Sequence, residues 1–254
     1  LKEIGEKMDV RIVESTPVKV KKPLIVSGLP ETGLVGSIAA MHMVEELKLS
    51  EVGFLESDLI PPIGVVHKKR LLDPMRIYAD SSLLLVLSEI PVPPNLYYPL
   101  SRTLAEWYKT KDPKMVVLMG GIAVPNREDL EKPKVVGVPS DKYSEKFLEE
   151  NEIEILQEGF LVGIYSLLLK ECRKMNIPAV YLMAEAHYGI PDPGAAAEVL
   201  EVLNKGYNLK VDVKKLLERD EEIRVMARDL MRRTAESMQE MKKPQEQELP
   251  VMYG

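Results

Sequence analysis

Up to about residue 208 the chain alternates short apolar runs, each bounded by turn residues, with longer segments carrying an apolar stripe at helical spacing. Residues 10–13 and 24–27 read as strands, because they are brief, apolar or alternating, and punctuated on both sides. In 33–49 the apolar positions Leu34, Ile38, Met41, Val44 and Leu47 return to one face of a helix. Residues 52–56 read as a strand, and 65–67 with 75–78 as a hairpin around Lys68-Lys69-Arg70. The unbroken apolar run 83–88 reads as a buried central strand. Pro91, Pro93 and Pro94 then exclude a helix interior or a central strand. The pattern continues with a helix at 96–109, a strand at 115–119 ending in Gly120-Gly121, a strand at 134–138 and a helix at 143–149. A helix at 160–175, a strand at 179–184 and a helix at 194–204 complete it. Strands and helices in this alternation predict an α/β domain on a largely parallel or mixed sheet covered on both faces.

Beyond Asn208 the composition changes. Residues 211–241 contain no Gly or Pro and predict one long helix. Leu216, Ile223 and Leu230 recur every seven residues, but Asp220 and Arg224 interrupt the stripe, which suits a helix docked along a partner or a subunit seam better than a coiled coil. Pro244 ends it, and Gln245-Glu246-Gln247-Glu248 opens a polar segment. The expected organisation is an α/β domain over 1–210, a helix over 211–241 and a flexible tail over 242–254.

Charge and composition narrow the function. Lys and Arg number 34 against 40 Asp and Glu, a net charge of −6, which leaves no basic excess for a nucleic-acid backbone. The single Cys excludes an internal disulfide framework and suits a reducing compartment. The residues from Leu1 to Glu6 lack the apolar core of a secretory signal, and no apolar run approaches the ~20 residues that cross a bilayer. The expectation is a cytoplasmic protein that binds neither membrane nor nucleic acid.

Several constellations invite a chemical reading. Gly28-Leu29-Pro30-Glu31-Thr32-Gly33-Leu34-Val35-Gly36 joins a strand to a helix, where phosphates often bind, yet it is neither G-x-G-x-x-G nor a P-loop. Glu31 at the helix start would satisfy the dipole and repel a phosphate, so the glycines read as close backbone packing. Gly159 and Gly163 flank a similar helix start without a cation or hydroxyl cluster. His42, His67 and His187 have no partner at metal-ligand spacing, and no metal is expected. Cys172 reads as a small hydrophobe on a helix rather than a catalytic thiol, and no G-x-S-x-G elbow offers a serine. Glu185 and His187 follow a strand at its carboxyl end, with Glu89 after another. They form the best acid–base pair available, but they equally suit loop hydrogen bonds, and no nucleophile or cofactor motif completes them. Neither catalysis nor a cofactor is therefore expected.

The strand followed by G-x-P-x-x-G-x-x-G in 23–36, the proline-rich segment after 83–88, Gly120-Gly121 after 115–119, and the Gly159/Gly163 helix start occur in one order. In that order they resemble the archaeal relatives of the eukaryotic proteasome-assembly chaperones, across roughly residues 10–208. The resemblance implies a three-layer α/β/α fold of the phosphorylase/hydrolase-like class and no enzymatic activity. It also directs attention to Met252-Tyr253-Gly254, which is similar to the hydrophobic–Tyr–any-residue ending (HbYX) that docks proteasomal activators into α-ring pockets of the 20S core. Each residue has a physical task there: the Gly254 carboxylate pairs with a pocket cation, Tyr253 is a stiff aromatic anchor, and Met252 an adaptable apolar contact. The implied partners are the 20S α-ring and further copies of the chain, a tetramer before a pentamer.

Overall fold

The computed structural model describes residues 10–232 except 19, 68, 227, 230 and 231. In chain order the elements begin with β1 (Arg11–Glu14), β2 (Leu24–Gly28), α1 (Val35–Glu46), β3 (Ser50–Glu56), β4 (Val65–His67), β5 (Arg70–Leu72), β6 (Met75–Ala79) and β7 (Leu83–Ser88). They continue with α2 (Tyr97–Lys111), β8 (Met115–Ala123), β9 (Val135–Pro139), α3 (Lys142–Glu150), β10 (Glu154–Ile155), α4 (Gly163–Lys174), β11 (Ala179–Ala186), α5 (Pro193–Tyr207) and α6 (Val213–Glu218). Nine strands form one mixed sheet in the order β1-β3-β6-β7-β2-β8-β11-β9-β10. Strands β7, β2, β8 and β11 are mutually parallel and make its centre, while β6, β3 and β1 extend it by antiparallel pairing.

Period-2 alternation divides the core into two. In β7, Leu83, Leu85 and Leu87 face the layer of α1 and α5, and Leu84 and Val86 face the layer of α2 and α4. Both faces are covered, so every residue of β7 is buried, as an unbroken apolar run requires. This is a three-layer α/β/α arrangement.

Three local expectations change. The strand at 65–67 pairs with Arg70–Leu72, and Met75–Ala79 joins the main sheet instead, because its five residues are buried on both faces. Strand β8 runs on through Gly120-Gly121 to Ala123, since β11 offers a parallel partner along its whole length. The helix expected from 160 starts at Gly163, leaving Phe160 and Val162 exposed before it.

Of the helix expected over 211–241, residues 213–218 and 220–226 are helical and Arg219 lies outside helical geometry at φ −102°, ψ 15°. Arg219 turns its guanidinium to Glu45 and Glu222, while Leu216 and Ile223 both reach the core beside α1. Residues 233–254 lie outside the described residues.

Candidate functional site at the carboxyl edge of the sheet

All loops leaving β2, β7, β8 and β11 emerge at one edge of the sheet. Helix α1 after β2 and helix α2 after β7 cover opposite faces, so β2 and β7 flank the topological switch point where open α/β sheets bind ligands. The turn built by residues 28–36 occupies that point.

Its glycines act through backbone contact. A Cβ on Gly36 would stand 2.1 Å from the Met119 carbonyl oxygen, and one on Gly28 would stand 2.3 Å from the Ala40 Cβ and 2.5 Å from the Gly36 carbonyl oxygen. Gly121 leaves room for the Thr32 carbonyl, and Gly120 for the Tyr181 hydroxyl. The motif therefore clamps α1 onto β8, and Gly33, at φ +65°, supplies the left-handed bend that this needs.

Glu31 is expected to serve its own helix, but makes no cap there. Its carboxylate crosses to the other layer and lies against the amino end of α4. There it faces the backbone N–H groups of Ile164 and Tyr165, which favour its ionised form, and Gly163 at φ +82° has no side chain to block it. The Tyr181 hydroxyl donates to the second oxygen at 2.6 Å. The position an anion would take at this helix start is thus filled by the chain's own carboxylate. Burial, with no cation among the groups that shift it, pushes the Glu31 carboxyl up to about 7, although the Tyr181 and backbone hydrogen bonds pull it down. Below it the Tyr165 hydroxyl donates to the Ser27 carbonyl at 2.7 Å and accepts from the Leu29 N–H at 2.6 Å, stitching α4 to β2.

The next loop is held by a buried ion pair. Arg127 Nε and Nη2 donate to the two Asp192 oxygens at 2.8 and 2.9 Å, and Arg127 Nη1 donates to the Leu130 carbonyl. Asp192 also accepts from the backbone N–H of Ala195, capping α5, and from that of His187. Its own N–H donates to the Gly33 carbonyl at 2.8 Å, which ties this loop to the Glu31 turn.

The candidates from the sequence fall into place around this frame. Glu185 accepts from the Lys134 backbone N–H, and the His187 backbone serves Asp192, so both do the loop-holding work that was one of their two readings. Glu89 pairs with buried Arg76, away from Glu185. His42 is buried on α1 with Nε2 2.8 Å from the Asp212 carbonyl, and His67 is exposed at the end of β4. Among the described residues no three His, Cys, Asp or Glu side chains gather as metal ligands. Cys172 is buried within the α2–α4 core, and burial pushes its thiol up to about 12. Met252, Tyr253 and Gly254 lie outside the described residues. The sequence reading overlooked Arg127 and Tyr181, though Asp192-Pro193, a capping residue before a proline, was a legible helix start.

Among the described residues, two open apolar surfaces adjoin this frame. A groove of about 450 Å³ runs between α1 and residues 216–229, lined by Leu34, Ile38, Met41, Leu216, Ile223 and Met226. At the sheet edge itself Phe160, Val162, Tyr188 and Tyr98 are exposed.

The sequence profile of the PAC2 family matches residues 25–231. An uncharacterised protein of Methanocaldococcus jannaschii is 30% identical over 236 residues, covering 92% of this chain and 96% of its own. The crystal structure of Pyrococcus furiosus PbaA, described as an archaeal homolog of proteasome-assembly chaperone, is 29% identical with a TM-score of 0.83, covering 90% of this chain and 99% of PbaA. That of Pyrococcus furiosus PbaB, described as an archaeal proteasome activator, is 25% identical with a TM-score of 0.74 over 88% of this chain and 99% of PbaB.

Proposed function

The chain belongs to the PAC2 family, and on that premise we propose that it is a cytoplasmic, non-enzymatic, ATP-independent proteasome-binding protein that acts on the 20S core as an activator or adaptor. The observation that carries this reading is the full-length likeness to PbaA and PbaB, which spans 99% of each of those chains. The site geometry is in keeping with it, because the switch point of the sheet is filled by Glu31 and its hydrogen bonds rather than left open for a substrate.

In this reading Met252, Tyr253 and Gly254 are the docking residues. Residues 242–254 could span at most about 45 Å, at about 3.3–3.6 Å per residue when extended. A single such tail binds weakly, and several on one body gain roughly 10²–10⁴ in avidity if they engage together. The working state is therefore a homo-oligomer, a tetramer before a pentamer.

The test is capture of purified 20S core by the full chain, by Tyr253→Ala, and by a variant with a residue block appended after Gly254. Both variants are expected to lose 20S binding while oligomer mass and thermal stability stay unchanged. Unchanged affinity in both would overturn the docking role of the tail and favour a scaffold with another partner.

A further inference from the structure

Strands β4 and β5 pair with each other and lie outside the nine-stranded sheet. A lone two-stranded hairpin is marginally stable in water, so an arm of this kind gains from packing on something. Its own body covers little of it. Val66 is 73% exposed and Leu71 76%, and the register sets them directly opposite each other, side by side on one face. They are the middle pair of the arm, between Val65 and Leu72 at its root and His67 and Arg70 at its tip. Val66 is also one lip of the groove beside α1, so the apolar face of the arm runs on into that groove.

Charge has opposite sign at the two ends of the arm. At the tip His67, Lys69 and Arg70 are exposed, and Lys68 stands between them in the sequence. At the root a cavity of about 510 Å³ opens beside Ile60 and Ile63, and its charged lining is Asp58, Asp73, Glu56 and Arg11. Glu56 and Arg11 pair with each other at 3.3 Å, and Glu89 further along pairs with Arg76. Asp58 and Asp73 are exposed, and among the described residues no cation pairs with either; no carboxylate pairs with Lys69 or Arg70. Two carboxylates and two cations are thus left over, at opposite ends of one projection.

We propose that two copies of the chain pack through this arm, laid antiparallel about a two-fold axis at the Val66–Leu71 pair; the inference rests on the oligomeric reading above and names the contact that serves it. Val66 and Leu71 of one copy then stack on the same pair of the other. Arg70 and Asp73 lie three residues apart, about 10 Å along extended chain, so sliding two arms tip to root sets each basic tip on the other copy's acidic root. A parallel arrangement would set tip on tip and root on root, where like charges repel, and the pattern therefore selects the two-fold contact. It also selects a second copy. A merely acidic partner would satisfy the tip and repel the root, and a merely basic one the reverse. The partner that completes both ends carries both signs one arm-length apart, and this chain does. The arm and the cavity at its root supply about twenty residues, the lower end of the 20–30 that each side of a stable interface provides. A two-fold contact builds dimers and, with further two-folds, tetramers, and it does not close a ring of five.

The experiment is sedimentation velocity with light scattering on the full chain, on Lys69→Glu/Arg70→Glu, on Asp58→Lys/Asp73→Lys, and on the chain carrying all four substitutions. All four positions are exposed, and far-UV circular dichroism checks that the fold is kept. Each pair of reversals alone is expected to make dissociation at least about 10-fold easier, a tetramer falling to dimers counting as dissociation at this contact. The four together should return it to within about 3-fold of the parent, because the exchanged charges face one another again. A hairpin that had merely been destabilised would show no such rescue. Reversals that leave dissociation unchanged, or that weaken the oligomer without mutual rescue, would overturn the assignment of the arm and leave the oligomeric reading standing. A parent chain that is monomeric at micromolar concentration would overturn both.

Discussion

The substitution Glu31→Gln separates the charge of the carboxylate from its shape. In the unfolded chain Glu31 titrates near its ordinary value of 4.5, and in the fold near 7. Between those two pH values the folded protein holds a proton that the unfolded chain has released. Stability from this group is therefore fully present below about 4.5, falls as pH rises through the window, and is lost above about 7. The gap corresponds to about 3 kcal/mol, at 1.36 kcal/mol per pH unit. Gln keeps the volume, one acceptor for the α4 N–H groups and a donor toward Tyr181, but cannot ionise. Relative to the parent, Glu31→Gln is expected to gain about 2.5 kcal/mol in stability on going from pH 5 to pH 8. For a chain of this size that is a relative shift of about 5–10 °C in melting temperature. The assay is thermal or urea unfolding of both proteins from pH 5 to pH 8 at one fixed protomer concentration, since self-association also moves the midpoint. Taking the difference cancels every other titrating group. Tyr181→Phe removes a hydrogen bond that favours the ionised form, so it should move the window to higher pH. A parent-minus-Gln difference that stays constant across this range would refute the reasoning.

Two further substitutions test the frame around that carboxylate. Gly36→Ala places a methyl group 2.1 Å from the Met119 carbonyl oxygen, a backbone atom that cannot turn aside, and should cost about 3 kcal/mol or more in an unfolding titration. Asp192→Ala strands the buried Arg127 guanidinium and removes the α5 cap, an expected loss of about 3–5 kcal/mol, of which adding Arg127→Met should restore a measurable part.

The layering of the fold was legible because its signals are local. The unbroken run 83–88 sits inside the sheet with both faces covered, and the stripe from Leu34 to Leu47 lies on α1. The departures all arise where a tertiary partner outweighs a local cue. Gly120-Gly121 looks like a strand end, but β11 pairs through it because Tyr181 and the Thr32 turn need the space a side chain would fill. Lys68-Lys69-Arg70 looks like a turn between 65–67 and 75–78, yet Met75–Ala79 lies beside β7, where burial on two faces outweighs a short hairpin. Residues 211–241 carry no helix breaker, but the break at Arg219 goes with its contacts to Glu45 and Glu222 and not with its own propensity.

The site followed the same division at finer scale. That Gly28, Gly33 and Gly36 serve close packing could be read from spacing, since a phosphate loop needs a cation or hydroxyl that this turn lacks. That an acidic residue in the turn belongs to a helix end was also legible. Which helix was not, because Glu31 and Ile164 are separated by more than a hundred residues and meet only when α1 and α4 are folded onto opposite faces of β2. The same crossing makes the turn a meeting point for the 160–163 segment, the start of α2 and the loop after β11. That meeting point exists only as a consequence of topology: parallel strands send their loops to one edge, and the Glu31 and Asp192 contacts gather three of them around one turn.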